Sequence, residues 1–294
     1  MAPMERTIVV VDQVGPAVGR RRLGIELRRH RTAAGKTMRQ VADHLNCSAG
    51  KISRLEAGLV APNVSDVRVM LGYYGVPGFE RDALVAVARQ AREKAWWNDY
   101  LDVVPPGSAR FFGLEDGATA IKEYSLGLVP GLLQTVEYVR ALTGCASDAD
   151  SAKDERRVEL RLRRQELLRR SDPPQLHVVM NQTVLYDPVG GDLAASRQLA
   201  YLAEVAELPN VTLQVLPTNV GAHRAKDERF SILRFRDPAD REIVYLEQPM
   251  SNAYLDGADH LGYYAGAFDQ ISELALIPDE SRKAVRDAAD LMAR

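Results

Sequence analysis

Cysteine is scarce in this chain of 294 residues: only Cys47 and Cys145 occur, far apart and in no metal-ligand spacing. Neither a disulfide framework nor a zinc finger follows from such a pair. Histidine is thin as well, with His177, His223 and His260 scattered singly. No apolar run approaches the roughly 20 residues that span a bilayer. The run at residues 8–11 is too short for the core of a signal peptide, so a cytoplasmic protein without membrane contact is expected. Catalytic patterns are also missing: HExxH, GxxxxGK followed by Ser or Thr, GxSxG, and a glycine-rich dinucleotide turn after a strand. The expectation is a non-enzyme with no catalytic residues, no metal site and no cofactor.

What is present is an uneven charge. The formal net charge is −2, yet residues 20–58 hold ten Lys or Arg against Glu26, Asp43 and Glu56. From residue 237 onward acids dominate, Asp240, Glu242, Glu247, Asp256 and Asp259 among them. Basic character is confined to the part that would face phosphate. The length suits two domains, each able to bury a core.

The stretch 37–58, TMRQVADHLNCSAGKISRLEAG, reads as two short helices joined by a tight turn. Thr37 is a good N-cap, and Gln40 three residues on completes a capping box. Met38, Val41, Ala42 and Leu45 form the apolar face of the first helix. Asn46 favours a C-terminal turn and Ser48 is a second N-cap, so another helix starts near Ala49. There Ile52 and Leu55 point inward, Ala49, Lys51, Ser53 and Arg54 stay outside, and Gly58 ends the helix. Two helices on so short a connector cross steeply, which lets the second lie in a major groove while the first braces the backbone. Arg54 is the expected base reader, because arginine pairs bidentately with guanine. Ser48, Ala49, Lys51 and Ser53 are expected to share its DNA-facing surface, with Arg28 and Arg39 on phosphates. Cys47 has two readings: a thiol activated by the helix N-terminus, or a small residue filling the turn.

On Leu27, Arg28, Gly35, Val41, Ala42, Ile52, Ser53, Glu56 and Gly58, residues 23–76 resemble the xenobiotic-response-element type of helix-turn-helix domain, the group that includes phage repressors. Met38 stands where members often carry Gln, and Ala49 and Gly50 where they often carry polar readers. The resemblance implies a five-helix, lambda-repressor-like domain, with helices expected over 23–33, 38–45, 49–57, 64–74 and 79–97.

Residues 1–19, with a β-like run at 7–11, read as an extension. Arg20, Arg21 and Arg22 read either as an arm that follows the backbone or enters a minor groove, or as a solvated charge run at a helix start. The helix-turn-helix domain is expected over 20–97 and a second domain over 98–294, with the boundary at Trp96-Trp97 and the Val104-Pro105-Pro106-Gly107 turn. The paired tryptophans either pin one domain to the next or stack on a ligand or base.

Beyond the boundary, helices are expected over 130–142, 154–170, 193–208, 260–275 and 279–292, and strands over 176–186, 211–216, 230–235 and 243–246. The helix at 193–208, capped by Asp192 after a Gly190-Gly191 turn, makes a β-α-β crossover. The fold class is therefore α+β, the helical domain being followed by a mixed α/β domain with a small sheet. The arginine-rich helix at 154–170 offers a second phosphate surface or a solvated face with internal Glu159 and Glu166 pairs. His223 and Arg224 in a loop, with Tyr245 and Glu247 on a strand, are the candidate ligand-binding residues; plain loop and core roles are the alternative.

The segment from Trp96 onward resembles the poorly characterised C-terminal domain found behind this helix-turn-helix in many actinobacterial regulators. Trp97, Tyr100, Leu114-Glu115, residues 129–135 with Tyr138, Arg164-Gln165, Gly190-Gly191 and Tyr245-Leu246-Glu247 carry the likeness. Gln182 stands where members often have Glu. What the resemblance implies is partnership with a small acidic protein. Two functions are expected. The first is a transcriptional regulator, a homodimer on double-stranded DNA, whose C-terminal domain dimerises, senses an unknown small-molecule effector or binds a partner. The second is an antitoxin-like module acting mainly through a small acidic partner protein.

Overall fold

Pro16 opens the first helix of the computed structural model, which describes residues 15–105, 107–146, 151–237, 240–248 and 252–294. At N1 the missing N–H of proline is no loss and its ring presets a helical φ, so α1 runs Pro16–Ala33. This corrects the start expected at residue 23. Ala17 and Val18 are buried, and Arg20, Arg21 and Arg22 lie inside the helix rather than on an arm. Arg20 Nη1 donates to Ala91 O at 3.5 Å. The β-like run at 7–11 lies outside the described residues.

Four more helices follow: α2 (Met38–His44), α3 (Ala49–Glu56), α4 (Val64–Tyr73) and α5 (Gly78–Gln90). Their shared core is built from Leu23, Leu27, Val41, Ile52, Leu55, Val67, Met70, Leu71, Leu84 and Ala88. The fifth helix stops short of the tryptophans. After Gln90 the chain tightens through Arg92 N to Arg89 O and Glu93 N to Gln90 O bonds, at 3.1 and 3.0 Å, and Trp96–Tyr100 form a separate 3₁₀ turn.

The helical core needs two glycines. Gly58 follows α3 with φ +68°, and a Cβ there would stand 2.9 Å from Arg21 Cα. At Gly24, α1 passes so close to α3 that a Cβ would overlap Glu56 O and stand 2.9 Å from Leu55 O. Neither site has room for a side chain.

The chain divides into two compact units, Met1–Trp96 with Asp237–Asp240, and Trp97–Arg236 with Arg241–Arg294. The second is a mixed α/β unit. Helix α6 (Ser108–Asp116) leads into β1 (Ala120–Ser125), and α7 (Val136–Ala146) and α8 (Ser151–Gln165) cross to β2 (Gln175–Asn181). Helix α9 (Asp192–Val205) crosses to β3 (Val211–Leu216). Then come β4 (Phe230–Arg234), β5 (Ile243–Glu247), β6 (Asn252–Leu255), α10 (Ala258–Leu274) and α11 (Pro278–Met292). The strand order is β3-β2-β1-β4-β5-β6. Parallel pairing joins β1, β2 and β3, as crossovers through helices require, while β4, β5 and β6 add antiparallel strands.

Several expected bounds are corrected. The central strand β1 and the edge strand β6 were not anticipated. Residues 176–186 divide into β2 and a 3₁₀ turn, Gln182–Tyr186, which the Asn181 side chain caps by accepting from Thr183 N. Residues 154–170 divide into α8 and a 3₁₀ turn, Glu166–Arg169. Gly191, not Asp192, is the N-cap of α9, and its φ of +88° explains why glycine stands there.

One sheet face carries Tyr124, Val179, Phe230, Ile232, Val244 and Leu246 against Tyr264, Ala267, Phe268 and Ile271 of α10. On the other face the register aligns Val178, Glu123, Ser231, Tyr245 and Tyr254 in one row across five strands. Glu123 thus stands as a carboxyl at the middle of an otherwise uncharged row.

The close approach at Gly24 sets a test. Gly24→Ala forces the α1–α3 contact apart, at a cost of about 1–3 kcal/mol. The expected result is a lower denaturant midpoint for the N-terminal unit, with the transition of the C-terminal unit unmoved; an unchanged N-terminal midpoint would contradict the contact.

Candidate nucleic-acid interface and a second site in the sheet

The turn between α2 and α3 is built by local chemistry. Thr37 Oγ1 accepts from Gln40 N at 3.2 Å while Thr37 N donates to Gln40 Oε1 at 2.9 Å, which satisfies two free amides of the helix start. Asn46 takes φ +51°, the single non-glycine residue with positive φ among the described residues. Ser48 Oγ then accepts from Lys51 N at 3.2 Å. Cys47 packs partly buried against the helical core.

Ile52, Leu55 and Glu56 are the buried side of α3. Glu56 is held by a two-pronged bond: Arg31 Nε donates to Oε1 at 2.6 Å and Nη2 to Oε2 at 2.9 Å. The third arm of that guanidinium donates to Lys36 O at 2.9 Å. The hydrogen bond to Glu56 raises the Arg31 pKa above its ordinary value. Burial, with the Glu56 carboxylate nearby, pushes the Tyr74 phenol up as well.

The opposite side of α3 presents Ala49, Lys51, Ser53 and Arg54 to solvent, with exposed Ser48 at its cap. These side chains differ in freedom. Lys51 Nζ is 2.7 Å from Asp66 on α4, a surface pair worth about 0–1 kcal/mol that phosphate can displace. Ser48 is already engaged as the cap, leaving its hydroxyl hydrogen for a phosphate. Arg54 has no hydrogen-bond or ion-pair partner among the described residues, and the same holds for exposed Arg28 and Arg39. Lys36 lies over the Tyr73 ring at 4.7 Å, and His44 stacks on the same ring at 4.1 Å.

On α1 and α5, Glu26, His30 and Glu80 place three potential ligand atoms within 4.8 Å of one another. Arg29 Nη2 fills the space between them, 2.7 Å from Glu26, 3.0 Å from Glu80 and 2.8 Å from His30. One guanidinium thus bridges the two carboxylates and offsets part of their charge.

The C-terminal unit holds a cavity of about 270 Å³ on the Glu123 face of the sheet. The four candidate ligand residues separate here. Tyr245 and Glu247 line the cavity, whereas His223 and Arg224 do not. The His223 ring is buried edge-on to Tyr124, with centroids 6.0 Å apart, and burial lowers its pKa. Arg224 N donates to Gln270 Oε1 at 3.2 Å, which binds the loop to α10 instead.

Residues that sequence periodicity did not single out build most of the wall. Arg164 donates to both oxygens of buried Glu115, at 2.9 and 2.8 Å, and its guanidinium lies 4.6 Å from the Phe112 ring centre. Arg161 Nη1 donates to Gln134 Oε1 at 2.6 Å. Gln134 Nε2 in turn donates to Val129 O at 2.7 Å, Gln165 Nε2 donates to Gln134 O at 2.6 Å, and Val129 N donates to Tyr138 Oη at 3.1 Å. The segment 129–135 is thereby fixed as one wall. Phe111 stacks on Tyr245 at 4.1 Å. The arginines of α8 therefore divide: the 161/164 pair turns inward onto the sheet, while Arg163 stays exposed. Burial pushes the Glu123 carboxyl up to about 7, with the Glu115 charge adding to the effect. Burial beside Arg164 lowers Arg161 to about 10.

Residues 22–84 match the model of a helix-turn-helix domain. That defines the N-terminal unit as a DNA-binding architecture. Residues 108–287 match the model described as a domain of unknown function (DUF5753), and the chain belongs to that family. No curated protein and no solved structure matches the chain. No helix among the described residues is long and apolar enough to cross a membrane.

The Glu115–Arg164 pair yields a stability prediction. Glu115→Gln leaves the buried guanidinium without its counter-charge, at a cost of about 3–5 kcal/mol. Thermal unfolding should show a large fall in the transition of the C-terminal unit; a loss below about 1 kcal/mol, the range of exposed pairs, would mean that water reaches Arg164.

Proposed function

We propose that this chain is a sequence-specific transcriptional regulator of the xenobiotic-response-element type, which works as a homodimer by binding rather than by catalysis. The observation that carries this reading is the asymmetry of α3: its inner side is clamped by Ile52, Leu55 and the Arg31–Glu56 pair, while Arg54 on its outer side is exposed and without a partner among the described residues. A free guanidinium on a rigid helix can make the bidentate bond to guanine that discriminates bases. Ser48, Ala49, Lys51 and Ser53 complete the groove-facing surface, and Arg28 and Arg39 supply phosphate contacts that hold register. Two such helices about a two-fold axis meet half-sites roughly 34–36 Å apart. The C-terminal unit is assigned dimerisation and effector sensing, and the site of action is the cytoplasm.

A second reading draws on the exposed arginines at the end of α8 and in the turn behind it, Arg163 and Arg169. These fit an acidic surface, so an antitoxin-like role through a small acidic partner protein is the competing proposal. Both roles are compatible in one chain.

Selection of bound genomic fragments at fixed, near-physiological salt tests the first reading. Wild type should enrich a two-fold-symmetric motif. Arg54→Ala should weaken binding to that motif by about 1–3 kcal/mol and relax preference at one position in each half-site. Arg28→Ala and Arg39→Ala should instead weaken binding to all sequences, each lowering the salt slope by about one. Unordered fragments recovered equally by wild type and Arg54→Ala would overturn base reading by α3 and leave the partner-protein reading.

A further inference from the structure

Seven charged side chains lie at or beside the cavity in the C-terminal unit: Glu115 from α6, Glu123 from β1, Arg157, Arg161 and Arg164 from α8, Arg229 before β4, and Glu247 at the end of β5. Three of the arginines are matched, Arg157 by Asp154 at 2.6 Å within α8. Arg164 holds Glu115 at 2.8 Å, and Arg229 holds Glu247 at 2.9 Å on the rim, where their side chains are 41% and 52% exposed. Arg161 and Glu123 have no ion-pair partner within 4 Å among the described residues.

These two unmatched groups are not equivalent. A carboxyl can take up a proton and become neutral in place, whereas a guanidinium keeps its charge throughout the physiological range. The persistent unmet charge of the cavity is therefore positive, and it belongs to Arg161. An uncompensated buried charge is costly, and an anion from outside removes that cost. Apolar surface stands beside it: Phe111 stacked on Tyr245, with Phe112 and Leu160. The volume of about 270 Å³ lies just below the range that takes drug-sized ligands. A body of a single ring fits it.

We propose that this cavity binds a small organic acid, its carboxylate taken by Arg161 beside Gln134 and its flat apolar body packed against Phe111, Tyr245 and Leu160. The proposal deepens the sensing role given to the C-terminal unit, and it is tested without DNA so that its failure and the failure of base reading are distinguishable. Anion binding is coupled to Glu123. The charged and titratable groups that line the cavity with it are Tyr124, Arg157, Arg161, Arg164, Arg229, Tyr245 and Glu247, and Glu115 acts on it from behind Arg164. An anion bound near Glu123 favours its protonated form, and burial already holds that carboxyl at about 7. Affinity is then highest below about 7 and falls toward tenfold per pH unit above it.

Calorimetric titration of the full chain with phenylacetate, phenylacetamide and phenethylamine tests this, because the three share one body and differ only in head charge. Phenylacetate should bind at least about tenfold more tightly than the amide, a gap of about 1.4 kcal/mol, and the amine should show no measurable binding. Arg161→Gln should remove the preference for the acid over the amide while circular dichroism confirms the fold. Should that variant fail to fold, the wild-type affinity for phenylacetate at about pH 6 and about pH 8 decides, with a fall approaching tenfold expected and an unchanged affinity overturning the coupling. No heat from phenylacetate at millimolar concentration, equal binding of all three probes, or tighter binding of the amine would overturn the proposal.

Discussion

A carboxylate removed from water must have a partner, and in each unit of this protein one arginine fork answers that requirement. In the helical unit Glu56 sits on the inner side of α3 and receives two bonds from Arg31, a residue of α1. The same guanidinium reaches Lys36 O, at the entry to α2. Three helices are thus fixed relative to one another by one planar group, and the exposed side of α3 is set as a consequence. A lysine, with a single point charge, could not hold all three contacts in a plane.

The C-terminal unit uses the same device for a different end. Arg164 reaches from α8 to Glu115 on α6, and the two helices close over one face of the sheet. What this closure encloses is decided by strand register. Because side chains alternate along a strand, Glu123 lies in the row of Ser231 and Tyr245, on the face opposite the apolar packing of α10. A slip of one residue would put the carboxylate into the α10 core and Tyr124 into the cavity.

Legibility in the sequence differed between the units for a physical reason. The turn between α2 and α3 is governed by contacts within a few residues: the Thr37–Gln40 box, Asn46 in a left-handed conformation, the Ser48 cap, and glycine after α3. Such signals lie side by side in the chain and can be read there. Strand β1 carries no such local signal, since AIKEYS puts Lys122 and Glu123 in mid-strand. Its strand character comes from pairing with β2 and β4, which are far away in sequence. The inward turn of Arg161 and Arg164 was hidden in the same way, because a run of arginines on a helix looks solvated until Glu115 and Gln134 are brought to it. His223 and Arg224 were drawn to attention by their loop, yet that loop is fastened to α10 and stands apart from the cavity.

The sequence by itself determined where α2, α3 and α4 start and stop, which side of α3 is apolar, and that a mixed α/β unit follows. Caps, glycine stops and apolar spacing act over three or four residues, and such short-range energies survive in any context. The tertiary structure alone decided which charges are buried, which are matched, and which of the cavity's guanidinium groups has no ion-pair partner among the described residues. Those outcomes depend on desolvation and on distances between residues tens of positions apart, and neither quantity exists until the chain has folded.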